Sequence, residues 1–262
     1  MSLLDSQRNQ ISELLEGQIR RKLANHSPET NNMPFHVRLL GRDRMALFSF
    51  IQSINTTLGT SVFEQVAAII AASHFKKAVN QYKGFNNTIS ESAQDTIQQI
   101  LDDLRAVRNK PSKPAEIEMI LQSAQVGKMK VVKQPRIDLF LEAYDGTEYY
   151  FDLKTAKPNR GEIIGLKRTM LEWVAIRFAQ NPKPSSIYTG LAIPYNPYEP
   201  EEYDRWTLSG MFDLHNEVKV AKEFWDFIGG NDTYEDLLEI FEKVGLKLRP
   251  EIDSVFAKFA PS

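Results

Sequence analysis

Two aspartates and a lysine carry the chemistry most visible in this chain. Asp152 and Lys154 lie two positions apart in Thr147-Glu148-Tyr149-Tyr150-Phe151-Asp152-Leu153-Lys154, and Asp138 precedes Asp152 by a 13-residue gap. The second segment reads as a strand, so period-two alternation puts Tyr150, Asp152 and Lys154 on one face. Arg136–Ala143 reads as a strand too, with Asp138, Phe140 and Glu142 sharing a face, and Tyr144-Asp145-Gly146 is turn chemistry. A three-residue loop pairs Ala143 with Thr147, and the same register sets Asp138 directly across from Asp152, with Cβ atoms ~4.5–5.5 Å apart. Facing carboxylates repel, which a purely structural sheet gains nothing from. A divalent cation between them reverses the sign, and magnesium favours one or two carboxylates with phosphate oxygens and water. Lys154, on the same face, is placed to meet a phosphate or a water.

Each candidate also has a plainer reading: Asp138 and Asp152 as surface residues of an edge hairpin, Lys154 as a solvated strand-end lysine. Acid-x-Lys occurs twice, as Asp152–Lys154 and Glu217–Lys219, and the second falls in a region expected to be helical. Only the first has a hairpin and an opposed aspartate around it. Glu64 in Ser61-Val62-Phe63-Glu64 fits a capping box, so its carboxylate can serve a helix start instead of a site. Lys157, Asn159, Arg160, Lys167 and Arg168 form either a DNA-contacting surface or a solvated loop and helix face. Tyr195-Asn196-Pro197-Tyr198 is a base-reading loop or simply a turn. Trp173 and Trp225 are assigned to the core.

The elements that must position these groups follow from periodicity. Residues 3–25, 42–56, 89–108 and 115–125 read as helices, and 26–36 as a loop. The run from Val66 to Ala72 is apolar on nearly every side, which marks a buried helix. After the hairpin, residues 161–179 are helical, 186–194 form a further strand, and 217–260 are mainly helical. The order is that of an α/β domain with helical additions.

Composition bounds the function. Hydrophobic content of 42% and charged content of 25% over 262 residues are ordinary globular values, which rules out wholesale disorder. No apolar run approaches the ~20 residues of a membrane span, and Met1-Ser2-Leu3-Leu4-Asp5 does not resemble a secretory signal. The absence of cysteine removes disulfides, thiolate metal sites and cysteine nucleophiles, and favours a cytoplasmic location. The net charge of −2 hides an asymmetry: residues 197–262 hold 15 acidic and 7 basic side chains, while residues 1–196 are net basic. Such a body can meet a polyanion. There is no phosphate-binding loop for a nucleotide cofactor, no Gly-x-Ser-x-Gly elbow, and no zinc spacing among His26, His36, His74 and His215.

Pro135-Arg136-Ile137-Asp138 followed by Asp152-Leu153-Lys154 resembles the PD-(D/E)xK nuclease superfamily, although here the proline does not immediately precede the aspartate. Asn55-Thr56-Thr57-Leu58-Gly59 before Glu64, Lys154-Thr155-Ala156-Lys157-Pro158-Asn159, and Phe224-Trp225-Asp226-Phe227-Ile228-Gly229-Gly230 extend the likeness over most of the chain, to type II restriction endonucleases that cut interrupted GGNCC-type palindromes. The resemblance implies an α-β-β-β-α-β core with a mixed sheet and extensive helical additions. It implies one nuclease domain, with its core at about 57–80 and 130–196, a helical insertion at about 81–128 and a helical C-terminal region at about 217–260. It further implies Mg²⁺ held by Asp138, Asp152 and the Leu153 carbonyl, with Glu64 auxiliary and Lys154 catalytic beside the two aspartates. Products with 5′-phosphate and 3′-hydroxyl ends follow, as does a homodimer on double-stranded DNA. Alternatives are a repair or junction-resolving nuclease of the same superfamily and a non-catalytic DNA-binding module.

Overall fold

The computed structural model describes residues 3–27, 33–84, 86–155, 157–181, 186–204 and 206–257, with the Arg160 side chain also outside the description. In chain order the elements are α1 (Asp5–Asn25), α2 (Pro34–Leu40), α3 (Arg42–Thr57), a π-helical turn (Leu58–Val62), α4 (Phe63–Ala71), β1 (Lys77–Tyr82), β2 (Thr88–Ser90), α5 (Glu91–Arg105), α6 (Lys113–Ser123) and β3 (Met129–Val131). There follow β4 (Ile137–Glu142), β5 (Glu148–Leu153), α7 (Arg160–Gln180), β6 (Ile187–Ile193), α8 (Trp206–Ser209), α9 (Leu214–Glu217), β7 (Val218–Val220), α10 (Lys222–Gly229) and α11 (Thr233–Phe256).

The main sheet runs β1-β4-β5-β6-β7. Its first two junctions are antiparallel and its last two parallel. The segment α4-β1-β4-β5-α7-β6 is thus the α-β-β-β-α-β core, with β2, α5, α6 and β3 inserted between β1 and β4. A parallel β5–β6 pair needs a crossover, and the 21 residues of α7 provide it.

Alternation sorts the central strands between two apolar layers. Phe140, Tyr150, Leu191 and Ile193 pack with α5, α6 and α7; Leu139, Leu141, Phe151, Leu153 and Ala192 pack with α1, α4, α10 and α11. Both sheet faces are covered, which is why these strands read as nearly continuous apolar runs. Trp173 and Trp225 are core residues, as expected, each 1% exposed. Trp225 donates its indole N–H to the Pro194 carbonyl at 2.8 Å.

Three local expectations are corrected. Ser61 does not cap a helix, because α3 continues through the π turn into α4; its hydroxyl accepts from the Gln65 amide instead. The insertion is not only helical, since β2 and β3 pair within it. Glu217–Lys219 is not helical throughout, because Lys219 lies in β7. Strands of three residues are too short to display a period.

Candidate active site

The hairpin register is the one the loop length requires. Ala143 donates to the Thr147 carbonyl at 2.9 Å, and pairs run from Glu142↔Glu148 to Leu139↔Phe151. Asp145 Oδ1 accepts the Thr147 N–H at 2.8 Å, and Gly146 turns the chain at φ +84°, a conformation that costs glycine little. The next pair along that register is Asp138 and Asp152, at the end of both strands away from the turn.

Their surroundings are cationic and only partly open. Asp138 Oδ2 accepts the Leu153 backbone N–H at 3.0 Å, which fixes its carboxylate against β5. Lys154 Nζ stands 2.5 Å from Asp152 Oδ1, and Arg136 Nε 3.9 Å from Asp138 Oδ1. Burial pushes the Asp152 carboxyl up to about 6; the Lys154 charge opposes that shift and the Asp138 charge adds to it. Burial pulls Lys154 downward, but Asp152 outweighs it and the net direction is up, so this side chain is an ammonium.

Glu64 comes from α4, on the layer beneath. It is 2% exposed, and burial together with the Asp138 charge raises its carboxyl. Arg136 Nη2 reaches its Oε1 at 3.4 Å, whereas Oε2 is buried without a hydrogen-bond partner of good geometry. Among the described residues no group of three or more His, Cys, Asp or Glu is gathered as a metal cluster, so Glu64 is not drawn into one set with the two aspartates.

Two neighbours escaped the sequence. Arg136 stands inside the quoted motif, and its position two residues before Asp138 on the same strand face was an available signal. Gln81 had none, because β1 lacks a clear pattern. The pairs Asn80↔Leu139 and Tyr82↔Ile137 bracket Gln81 opposite Asp138, and its φ is +51°. A non-glycine residue held there costs of order 1–3 kcal/mol, and such strain gathers at functional sites.

Beside Lys154 opens a cleft of about 420 Å³, whose polar lining includes Asn55, Thr56, Thr60, Thr155 and Tyr195. The π turn forms one wall. A Cβ on Gly59 would come within 2.7 Å of Thr155 Cγ2, so the turn packs closely on the chain that leaves β5. Tyr195, just beyond β6, lines this cleft, while Asn196 closes a local turn by accepting from the Tyr198 N–H at 3.0 Å.

The expected DNA-contacting residues separate. Lys157 and Asn159 are exposed before α7, and the Lys157 ammonium lies 4.9 Å from the Tyr198 ring centroid. Arg168 is half-buried and donates to Gln98 at 2.5 Å. The Arg160 side chain lies outside the described residues. Lys167 is a correction: it is fully buried, with its ammonium 2.6 Å from both Glu116 and Glu217. Helical periodicity turns it inward where Arg168 is turned to the flank, so it cannot meet DNA in this fold.

The family described as "Type II restriction endonuclease, HinfI" matches residues 4–245. Type II restriction enzyme HgiCII of Herpetosiphon aurantiacus is 28% identical over 96% of this chain and 98% of its own length. HgiEI of the same organism is 30% identical over 84% of this chain and 79% of its own. Type II restriction enzyme MjaII of Methanocaldococcus jannaschii is 27% identical over 81% of this chain and 62% of its own. A match that takes in every strand of the sheet and the first half of α11 means that the chain belongs to the HinfI family of type II restriction endonucleases, site-specific deoxyribonucleases that act on double-stranded DNA.

Proposed function

We propose that the enzyme hydrolyses DNA with Mg²⁺ at the Asp138–Asp152 pair, leaving 5′-phosphate and 3′-hydroxyl ends, and that it does so as a homodimer on an interrupted palindrome of the GGNCC type. The observation that carries the catalytic part is the register, which faces two carboxylates across β4 and β5 with Lys154 beside them. Their chemistry suits a hard cation. Both donors are carboxylate oxygens, Asp152 is raised by burial with Asp138 adding to the shift, and the Glu64 carboxyl, approached by the Gln81 side chain, keeps Oε2 buried nearby without a hydrogen-bond partner of good geometry. Asp138, Asp152 and the Leu153 carbonyl would hold the ion, with Glu64 behind them. When bound, the metal supplies a Lewis acid for the phosphate oxygens.

The remaining work falls to the chain. The Leu153 N–H holds Asp138 in place. The Lys154 ammonium can orient a water by donating to it, and it opposes the negative charge that develops on the phosphate. Its raised pKa favours donation over proton abstraction. Arg136 screens Glu64 from Asp138, which lowers the cost of keeping both near the scissile group.

Plasmid digestion tests the proposal. Discrete fragments are expected with Mg²⁺ and none in excess EDTA, with 5′-phosphates detected by ligation and end-labelling. Undiminished cutting in EDTA would remove the two-carboxylate mechanism, and fragment ends outside GGNCC-type sequences would remove the assigned specificity.

A further inference from the structure

The small β2–β3 pair is more than a decoration of the insertion. Paired positions in β1 and β4 have residue numbers that total 219, from Lys77↔Glu142 to Tyr82↔Ile137. Those in β2 and β3 total 219 as well, at Thr88↔Val131, Ile89↔Lys130 and Ser90↔Met129. The Val132 N–H donates to the Asn87 carbonyl at 2.7 Å, and within the interruption the Gln134 side-chain amide donates to the Lys83 carbonyl at 3.2 Å. The two segments that leave the active site at Gln81 and Asp138 therefore pair again further on, in the same register, as the two-stranded β2–β3 arm. At ~3.3–3.6 Å per extended residue, the eight steps from Asp138 to Lys130 reach at most about 29 Å.

The arm is cationic on its outer strand. From Gln125 to Ile137 the chain has Lys128, Lys130, Lys133 and Arg136 and no acidic residue, and Lys83, just past β1, is exposed as well. β2 is anchored, with Ile89 and Ser90 fully buried, whereas all three residues of β3 are exposed, Val131 by 76%. Lys130 pairs with Glu91 at 3.0 Å, but both are exposed, and such a pair is worth ~1 kcal/mol or less. A DNA phosphate can displace it.

We infer that the β2–β3 arm is a DNA-tracking element, along which Lys128, Lys130 and Lys133 contact successive backbone phosphates leading toward Asp138. Duplex DNA is the partner that matches: it presents regularly spaced negative charge, and its major groove admits a two-stranded ribbon. The inference rests on the active-site assignment only for where the arm leads.

The test reads binding, not cutting. A non-specific 30-base-pair duplex is titrated at several salt concentrations, without metal, against the full chain carrying Asp138→Asn. Adding Lys128→Gln, Lys130→Gln and Lys133→Gln together should weaken binding on the order of tenfold to a hundredfold at 0.15 M salt. The slope of log affinity against log salt should flatten by about 2.7, at ~0.9 per phosphate contact. The matching triple change to arginine should keep the parent slope. An unchanged slope in the glutamine variant overturns the inference, as does aggregation of that variant with DNA affinity intact, which would make the lysines guards of an exposed strand edge. Failure of the unsubstituted enzyme, with Asp138 intact, to cut with Mg²⁺ would strike the metal mechanism and leave this result standing.

Discussion

Replacing Asp138 by asparagine separates chemistry from architecture. The substitution keeps the shape and an acceptor for the Leu153 N–H but removes one of two facing charges. Cleavage should fall below detection, while the metal-free protein stays as stable as the parent or gains up to about 1 kcal/mol, the scale of a like-charge cross-strand pair. Added Mg²⁺ should raise the melting temperature of the parent and hardly that of the variant, since a ligand stabilises only the state that binds it. A variant that cuts normally, or that unfolds, would deny Asp138 its role. Asp152 supplies a pH signature. Its folded pKa, about 6, lies above the ordinary carboxylate value of 3.8, so protonation favours the native state. The metal-free parent should therefore gain stability relative to Asp152→Asn as pH falls from 7 through 6 toward 4. Mg²⁺ affinity should drop over the same interval as protons take the ligand. Chemical denaturation and metal titration at stepped pH measure both, and parallel pH curves for parent and variant would refute the assignment.

Among the elements, the hairpin was the most legible. Its register needed only the loop length and the period of two, and Gly146 and Asp145 behave as turn residues should. The long helices were legible for the same reason: α5 buries Ile97, Ile100, Leu101 and Leu104 at helical spacing, behind a Ser90 cap that accepts from Ala93 N–H. Local motifs failed where tertiary continuity overruled them. The Ser61–Glu64 pattern is a sound helix start in isolation, yet the π turn carries the helix across it and leaves Glu64 buried, within reach of the Asp138 charge. Lys167 illustrates the opposite blindness. Nothing in a single helix shows that α6 and α9 bring Glu116 and Glu217 to it, with Lys113 3.0 Å from Glu217 as a fourth buried charge. Lys167→Ala should destabilise the fold by about 3–5 kcal/mol, because it strands buried carboxylate charge. Urea denaturation reads the loss. DNA affinity of the folded fraction should not change, and a stable Lys167→Ala protein that has lost DNA binding would restore the surface role that the fold denies it.

At the scale of the molecule, the charge asymmetry takes on a different meaning once folded. Much of the acidic C-terminal region is α11, laid along α1, where Arg20 meets Glu251 at 2.9 Å and Lys247 meets Glu16 at 2.6 Å. Arg8 and Asp236 form a further ion pair across the same contact. The acidic excess is thus partly spent on the layer beneath the sheet, away from the arm, and the cations of the insertion and of the segment before α7 are left to face outward. No helix among the described residues is long and apolar enough to cross a membrane. One chain holds one Asp138–Asp152 pair, and two chains related by the twofold axis of a palindrome would bring one such pair to each strand of the duplex. Symmetric DNA is met most simply by a symmetric pair of chains. Sedimentation with a duplex containing the cleaved sequence should therefore show two chains per duplex, and a mixture of parent and Asp138→Asn chains should accumulate plasmid nicked in one strand. A one-to-one complex that makes clean double-strand breaks, with no nicked product from the mixture, would show that a single active centre serves both strands in turn.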